Sequence, residues 1–306
     1  MIEAPRAVFA LITPARNEAR HIATTIESVA AQTARPARWV IVSDASTDGT
    51  DEIVAAQSQG RPWITLVRKR ERSGAYFASQ IATFNAGLRQ LDGVTYDFIG
   101  KLDGDIRLEP DYYAQILARF AADPQLGAAG GGIIECFDGR QEPLRMDARS
   151  VAGAVHLFRR SCFEAIGGFV ELPYGGYDTV AEVSARMRGW TTRTFHELPV
   201  YHLKPISASE GRTLRRLWRR GMRDYSIGNH PMFEIVKCAG RCLDRPPLAG
   251  SIIWLCGYAW LWLRRAPRAV SREYVRFHQW EQLSRLGLGR WIRPPALTPL
   301  EGADGR

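Results

Sequence analysis

Over the first two thirds of the chain, short apolar runs alternate with segments of helical period. "AVFALIT" at 7–13 precedes an amphipathic segment at 20–31, and "WVIVS" at 39–43 precedes a helical pattern at 50–58. "ITLV" at 64–67 leads to a long pattern at 77–91, and "YDFIGKL" at 96–102 leads to a helix opened by Pro110 at 111–122. Apolar runs of about four to eight residues have the length of buried strands, and apolar positions every three to four residues mark helices with one face on a core. The repeated alternation predicts an open, mostly parallel α/β sheet flanked by helices.

The polar residues gather at the ends of these strands, as "PARNE", "SDASTDGT" and "DGD". Turn chemistry accounts for any one of these clusters, since Asp, Ser, Thr and Gly favour turns. All three at carboxyl ends of strands point further, because ligands of open α/β sheets bind in the crevice beyond those ends.

After about residue 205 the strand signals stop and the chain becomes helical and rich in arginine and tryptophan. The expected organisation is an α/β domain over 1–205 and a helical extension over 206–306. In the extension, Arg212, Arg215, Arg216, Arg219, Arg220 and Arg223 alternate with Leu214, Leu217, Trp218 and Met222. At helical period this gives an arginine stripe and an apolar stripe, suited to an anionic membrane surface or to a diphosphate. Residues 248–263 are all uncharged and mostly apolar, but a spanning helix needs about 20 residues. With its tryptophans and the basic pair Arg264 and Arg265, the segment reads as interfacial or shallowly inserted, and a buried core helix is the alternative.

The net charge of +9 favours anionic partners. The five cysteines form no C-x-x-C pair, as fits a reducing compartment. The apolar run at 7–12 is too short for a secretory signal. These features predict a cytoplasmic protein, peripheral on the inner face of the membrane.

Asp103 and Asp105 are two residues apart at the end of an extended segment, so their side chains share a side, with Lys101 on the same parity. Converging carboxylates ask for a cation, and a divalent metal held by one or two carboxylates and substrate phosphates meets that need. A calcium loop of the EF-hand kind is excluded, because Leu108 and Ala114 stand where it requires Gly and Glu.

"TPARNE", "VIVSDASTDGT" and "KLDGDIRLEPDYY", in that order, resemble the family 2 glycosyltransferases, inverting enzymes with the GT-A nucleotide-sugar fold. The resemblance covers roughly residues 7 to 205. It implies a nucleoside diphosphate sugar donor, Mg²⁺ or Mn²⁺ as cofactor, and a sugar or lipid-linked acceptor in glycan synthesis. By this resemblance Pro14, Arg16 and Glu18 lie against the nucleotide, Asp44 accepts from the base, Asp103 faces the ribose and Asp105 holds the metal. Ser43 replaces the first aspartate of the family's D-D-x-S motif. Arg72 is a candidate phosphate contact, and His202 falls where such enzymes place a histidine at the metal or diphosphate.

An inverting transfer needs a base for the acceptor proton. The family's E-D motif is missing from "ELPYGGYDTVAEVSARMRGW", which offers Asp178 and Glu182, four apart and so on one helix face. Asp178 is preferred because it stands at the expected helix start after "YGGY". Glu182 is the other candidate, with a pairing to Arg186 as its alternative role. Gly153, Gly167 and Gly168 are expected to serve backbone shape. A nucleic-acid-binding protein fits the charge but not the acidic loops. An inactive sugar-nucleotide-binding relative fits Ser43 and the missing E-D, and a nucleotidyltransferase would carry a glycine-rich signature near the start, which is lacking.

Overall fold

The alternating runs fold into strands and helices close to their predicted positions: β1 (Phe9–Ala15), α1 (Ile22–Ala30), β2 (Arg38–Asp44), α2 (Thr50–Ser58), β3 (Ile64–Lys69), α3 (Tyr76–Leu88), β4 (Phe98–Leu102) and, after a short strand β5 (Ile106–Leu108) that no apolar run marks, α4 (Tyr112–Ala122). This computed structural model describes residues 7–71, 76–137, 139–204, 213–243, 246–289 and 295. The strands β6 (Leu126–Phe137), β7 (Arg140–Pro143), β8 (Val155–Arg159) and β9 (Thr191–His202) follow, with α5 (Arg160–Ala165) and α6 (Tyr177–Met187) between the last two.

The sheet order is β3-β2-β1-β4-β8-β6-β9-β5, with β7 paired to β6. The four strands at one end, β3, β2, β1 and β4, are mutually parallel, β8 joins β4 antiparallel, and β6 runs parallel to β9. Both faces of the parallel half are covered, which is why β1 and β2 read as continuous apolar runs and not as alternating ones. Phe9, Leu11, Trp39 and Ile41 face one core with Ile22 and Ile26 of α1 and Ile116 and Phe120 of α4. Their sequence neighbours Ala10, Ile12, Val40 and Val42 face the other core with Ile81 and Phe84 of α3.

Beyond β9 the chain forms α7 (Thr213–Ser226), α8 (Pro231–Ala239), α9 (Ala249–Leu263) and α10 (Arg272–Arg285). The boundary expected at 205/206 falls in the segment 205–212, outside the described residues. The helices close onto the second core, where Ile227, Tyr274 and Phe277 share one buried cluster with Phe84 and Val183. Arg186 of α6 grips Glu281 of α10 through two hydrogen bonds, 2.7 and 3.1 Å. α7 and α9 touch backbone to backbone, and a methyl group on Gly221 or Gly257 would collide with the carbonyl of Trp254 or Trp218.

A buried carboxylate fastens these helices together. Asp224, 2% exposed, accepts from Trp254 Nε1 at 2.8 Å, from Lys237 at 2.5 Å and from Arg223 Nε at 3.0 Å. Burial alone would raise its pKa, but Arg223 and Lys237 hold it well below the ordinary carboxylate value. Among the described residues no helix is long and apolar enough to cross a membrane.

Candidate active site

The loops that leave β1 and β2 are laced together before they meet any ligand. Arg16 Nη1 donates to the Asp44 carbonyl at 2.8 Å, the Glu18 amide donates to Thr50 Oγ1 at 2.9 Å, and the Ala19 amide donates to Asp48 Oδ2 at 3.0 Å. Asn17 and Ala45 sit in the left-handed region, at φ 53° each, so both strand ends turn sharply at the same place. The Thr47 amide closes the gap by donating to Asn17 Oδ1 at 2.9 Å.

Asp44 ends β2 with a buried carboxylate, 5% exposed. Lys69, the last residue of β3, donates to its Oδ1 at 2.9 Å, Ser79 of α3 donates to its Oδ2, and Arg16 lies 4.0 Å away. The first position of the expected D-D-x-S motif, Ser43, hydrogen-bonds Ser46 at 2.9 Å and so braces the loop.

The two aspartates after β4 have different surroundings. Asp103 receives a short hydrogen bond from Lys101 and one from Gln80 Nε2 at 3.4 Å. Lys101 is completely buried, donates also to the Gly153 carbonyl at 2.7 Å, and stands 5.6 Å from the centre of the Tyr177 ring. The like charges noted in the sequence are thus relieved partly by a buried ammonium. Asp105 is itself buried and lies 3.4 Å from His202 Nε2, at the end of β9, because β5 and β9 pair with Ile106 opposite His202.

Unmet polar atoms collect here. Among the described residues, Asp105 Oδ1, His202 Nδ1 and Glu18 Oε2 are buried without a hydrogen-bond partner. Asp105 and His202 form an ion pair whose geometry leaves the carboxylate oxygen without a hydrogen bond. Burial favours neutral forms of both, but their mutual attraction wins: Asp105 lies below its ordinary pKa and His202 above it. Burial, and next the charge of Asp105, push Glu18 up to about 7, against the opposing pull of Lys204, which donates to it at 3.0 Å.

These orphaned oxygen and nitrogen atoms suit a hard or borderline divalent cation. No three His, Cys, Asp or Glu side chains among the described residues form a metal cluster by themselves. The fit is therefore to an ion that takes its remaining ligands from a bound substrate, as magnesium commonly does.

Asp178 and Glu182 share a helix but not an environment. Asp178 lies in the first turn of α6, after Gly175 and Gly176 at φ 85° and 91°, and its side chain lines the central cavity. Glu182 is 2% exposed; it accepts from the Val151 amide at 2.7 Å and Ser150 Oγ at 3.1 Å, lies 3.2 Å from His156 Nε2, and is 3.9 Å from Arg186. It is not among the cavity-lining residues, and it ties the 150–151 loop to β8 and α6. Gly167 and Gly168 follow α5 at φ 76° and 75°, in the backbone-shaping role expected of them.

The cavity, about 610 Å³, is lined by Pro14, Arg16, Glu18, Asp44, Asp103, Asp105, Asp178 and His202. All the proposed donor, metal and base positions except Glu182 and Arg72 thus meet in one space, and Arg72 lies outside the described residues. Lys69, Ser79 and Lys204 were missed in the sequence. Lys69 belongs to a basic run that reads as solvent-facing, and Ser79 has no local signal at all. Arg216, Arg219, Arg220 and Arg223 also line the cavity, so the arginine stripe of α7 turns inward onto the site.

A sequence model described as glycosyl transferase family 2 matches residues 10–173. A poly-beta-1,6-N-acetyl-D-glucosamine synthase of Staphylococcus aureus is 23% identical over 239 residues, covering 70% of this chain and 52% of that protein. The chain thus spans about half the length of the curated relatives it matches. Among solved structures, the mannosyltransferase PcManGT from Pyrobaculum calidifontis, in complex with GDP-Man and Mn²⁺, superposes at a TM-score of 0.55 with 20% identity, covering 94% of this chain and 80% of that one. TarS 1–349 of S. aureus, in complex with UDP-GlcNAc, superposes at 0.53 with 14% identity, covering 90% of this chain and 81% of that one. The architecture is the GT-A glycosyltransferase fold with added C-terminal helices, as the motifs led one to expect.

Proposed function

Since the chain belongs to glycosyl transferase family 2, we propose that it moves a sugar from a nucleoside diphosphate sugar to an acceptor hydroxyl, with inversion at the anomeric carbon. The observation that carries this reading is the meeting of Asp44, Asp103, Asp105 and Asp178 in one cavity. Pro14, Arg16, Glu18 and Asp44 form the nucleoside end, with Asp44 held in place by Lys69 and Ser79 so that its remaining lone pairs can accept from the base. Asp103, oriented by Lys101, faces the ribose.

Asp105 and His202 would hold Mg²⁺ or Mn²⁺, which when bound supplies Lewis-acid neutralisation of the diphosphate. The arginines of α7 add fixed positive charge along the same wall, and such preorganised charge counts most where negative charge grows on a leaving group. The acceptor oxygen attacks the anomeric carbon as the bond from that carbon to the diphosphate oxygen breaks, and Asp178 takes the acceptor's proton. Glu182 acts as a positioning residue, fixing α6 and the loop beside it.

The name of the poly-beta-1,6-N-acetyl-D-glucosamine synthase favours a polysaccharide or another glycan as product, and the acceptor of this reading is a sugar or a lipid-linked sugar. Nucleic acid is a poor partner for a cavity with this many carboxylates. All five cysteines are free, in keeping with a reducing compartment.

The test is a thermal-shift screen of UDP- and GDP-sugars with and without Mn²⁺, followed by donor hydrolysis and transfer assays. The reading expects one donor class to raise the melting temperature only with metal, and Asp178→Asn to keep that rise while losing turnover. Absence of stabilisation by every nucleoside diphosphate sugar would overturn it. Stabilisation without hydrolysis or transfer would mark an inactive binding relative instead.

A further inference from the structure

α8 is folded inside out. Its charged residue Glu234 is fully buried and Lys237 reaches inward to Asp224, whereas Met232, Ile235, Val236 and Ala239 face outward. Their spacing of three, one and three residues makes a continuous apolar stripe. α9 beside it buries Trp254, Tyr258 and Leu261 and leaves Ile252, Cys256, Trp260, Trp262 and Leu263 in solvent. The turn between the two helices adds Leu243 and Leu248, 84% and 63% exposed. Isolated exposed apolar residues are common in soluble proteins, but a patch contributed by two neighbouring helices and their connection is not.

The charge around the patch is one-sided. From 225 to 271 the sequence holds two acids, Glu234 and Asp244, against six bases. Of these acids Glu234 is buried, while Arg264 and Arg265 are exposed at the end of α9 and Arg264 stacks on Trp260 at 3.9 Å. Apolar side chains, tryptophans at the rim and arginines beyond them form the pattern of an element lying in a membrane interface. A symmetric dimer through the same face would lay this cationic rim near its own copy, whereas an anionic surface complements it.

We propose that the outer face of α8 and α9 seats the protein on an anionic lipid bilayer, with the helices lying in the interface and not crossing it. α9 has 15 residues and is packed along its inner face against α7, so one side only is available to lipid. α7 in turn presents Arg216, Arg219, Arg220 and Arg223 to the cavity. One helix layer therefore separates the lipid-facing surface from the wall of the site. The seating does not depend on turnover and is measured separately from it.

The experiment mixes the full chain with vesicles of phosphatidylcholine alone, or of phosphatidylcholine with phosphatidylglycerol, and pellets them at low and high salt. The expected result is binding to the anionic vesicles, weakened by salt, with tryptophan fluorescence quenched by brominated acyl chains. Ile235→Ser with Ile252→Ser should lower the partition coefficient by roughly ten-fold or more with little change in the melting temperature, because both residues are more than half exposed. Arg264→Ala with Arg265→Ala should remove the preference for phosphatidylglycerol. Failure to bind anionic vesicles at low salt, or unaltered partition in the apolar variant, would overturn the proposal. So would a dimer that the apolar variant dissolves while neither protein binds lipid, which would assign the face to a second copy.

Discussion

Gly153 makes room for the carboxylate of Asp178: a methyl group on it would lie 3.2 Å from Asp178 Oδ2 and 2.9 Å from the Tyr177 hydroxyl. The carbonyl of the same glycine accepts from Lys101, which also holds Asp103. The residue therefore links the D-x-D loop to the start of α6, and its missing side chain is a property of the site.

Gly153→Ala should displace Tyr177 and Asp178 and lower kcat by on the order of ten-fold, with a small change in melting temperature. Asp178→Asn should lower kcat by about 10²- to 10⁴-fold while leaving donor affinity near that of the parent. Steady-state kinetics beside donor titration separates the two effects.

Glu182→Gln should act first on stability. Its carboxylate satisfies a buried amide and a hydroxyl beside His156, so weakening those contacts costs about 1–3 kcal/mol, read as a lower midpoint in urea. Full stability with lost transfer in this variant, together with near-normal transfer in Asp178→Asn, would exchange the two roles.

Asp105→Ala should abolish the metal-dependent part of donor stabilisation and leave any metal-independent part in place. Chelation of the parent protein should have the same effect. Calorimetric titration of Mn²⁺ in the presence of nucleoside diphosphate checks both, since the missing ligands are expected from the diphosphate.

Asp224→Asn should destabilise the helical segment strongly, by about 3–5 kcal/mol, because Lys237 and Arg223 lose the charge that compensates them. Hydrogen exchange should show the loss spread over α7, α8 and α9, the three helices that meet at this side chain.

His278 makes the fold sensitive to acid. Burial, followed by the charges of Arg186 and Arg285, lowers its pKa to about 3, with Lys237 adding to the fall and Asp224 opposing it. The folded state therefore binds fewer protons than the unfolded state between that value and the ordinary imidazole value near 6.5. The stabilisation is complete above about pH 6.5 and is lost as pH falls toward 3, with a span of the order of 5 kcal/mol. The melting temperature of His278→Gln should fall less steeply across that window than that of the parent.

The sequence alone determined the alternation of strands and helices, since a strand buried on both faces must be apolar throughout, and the elements from β1 to α4, the short β5 apart, lie where the runs placed them. It also determined that Asp44, Asp103 and Asp105 stand at strand ends, because in a parallel sheet those ends share one edge. It preferred Asp178 over Glu182 only on its place at the helix start, and the packed structure set their surroundings apart, with one lining the cavity and the other against Val151 and His156. It left the arginines of α7 between a membrane surface and a diphosphate, and the apolar residues of α9 between an interfacial segment and a core helix. Tertiary packing turned those arginines onto the site and half-buried α9, because contacts such as Gly221 with Trp254 depend on residues far apart in the chain. Local pattern fixes which faces a helix has; what each face meets is decided by the rest of the fold.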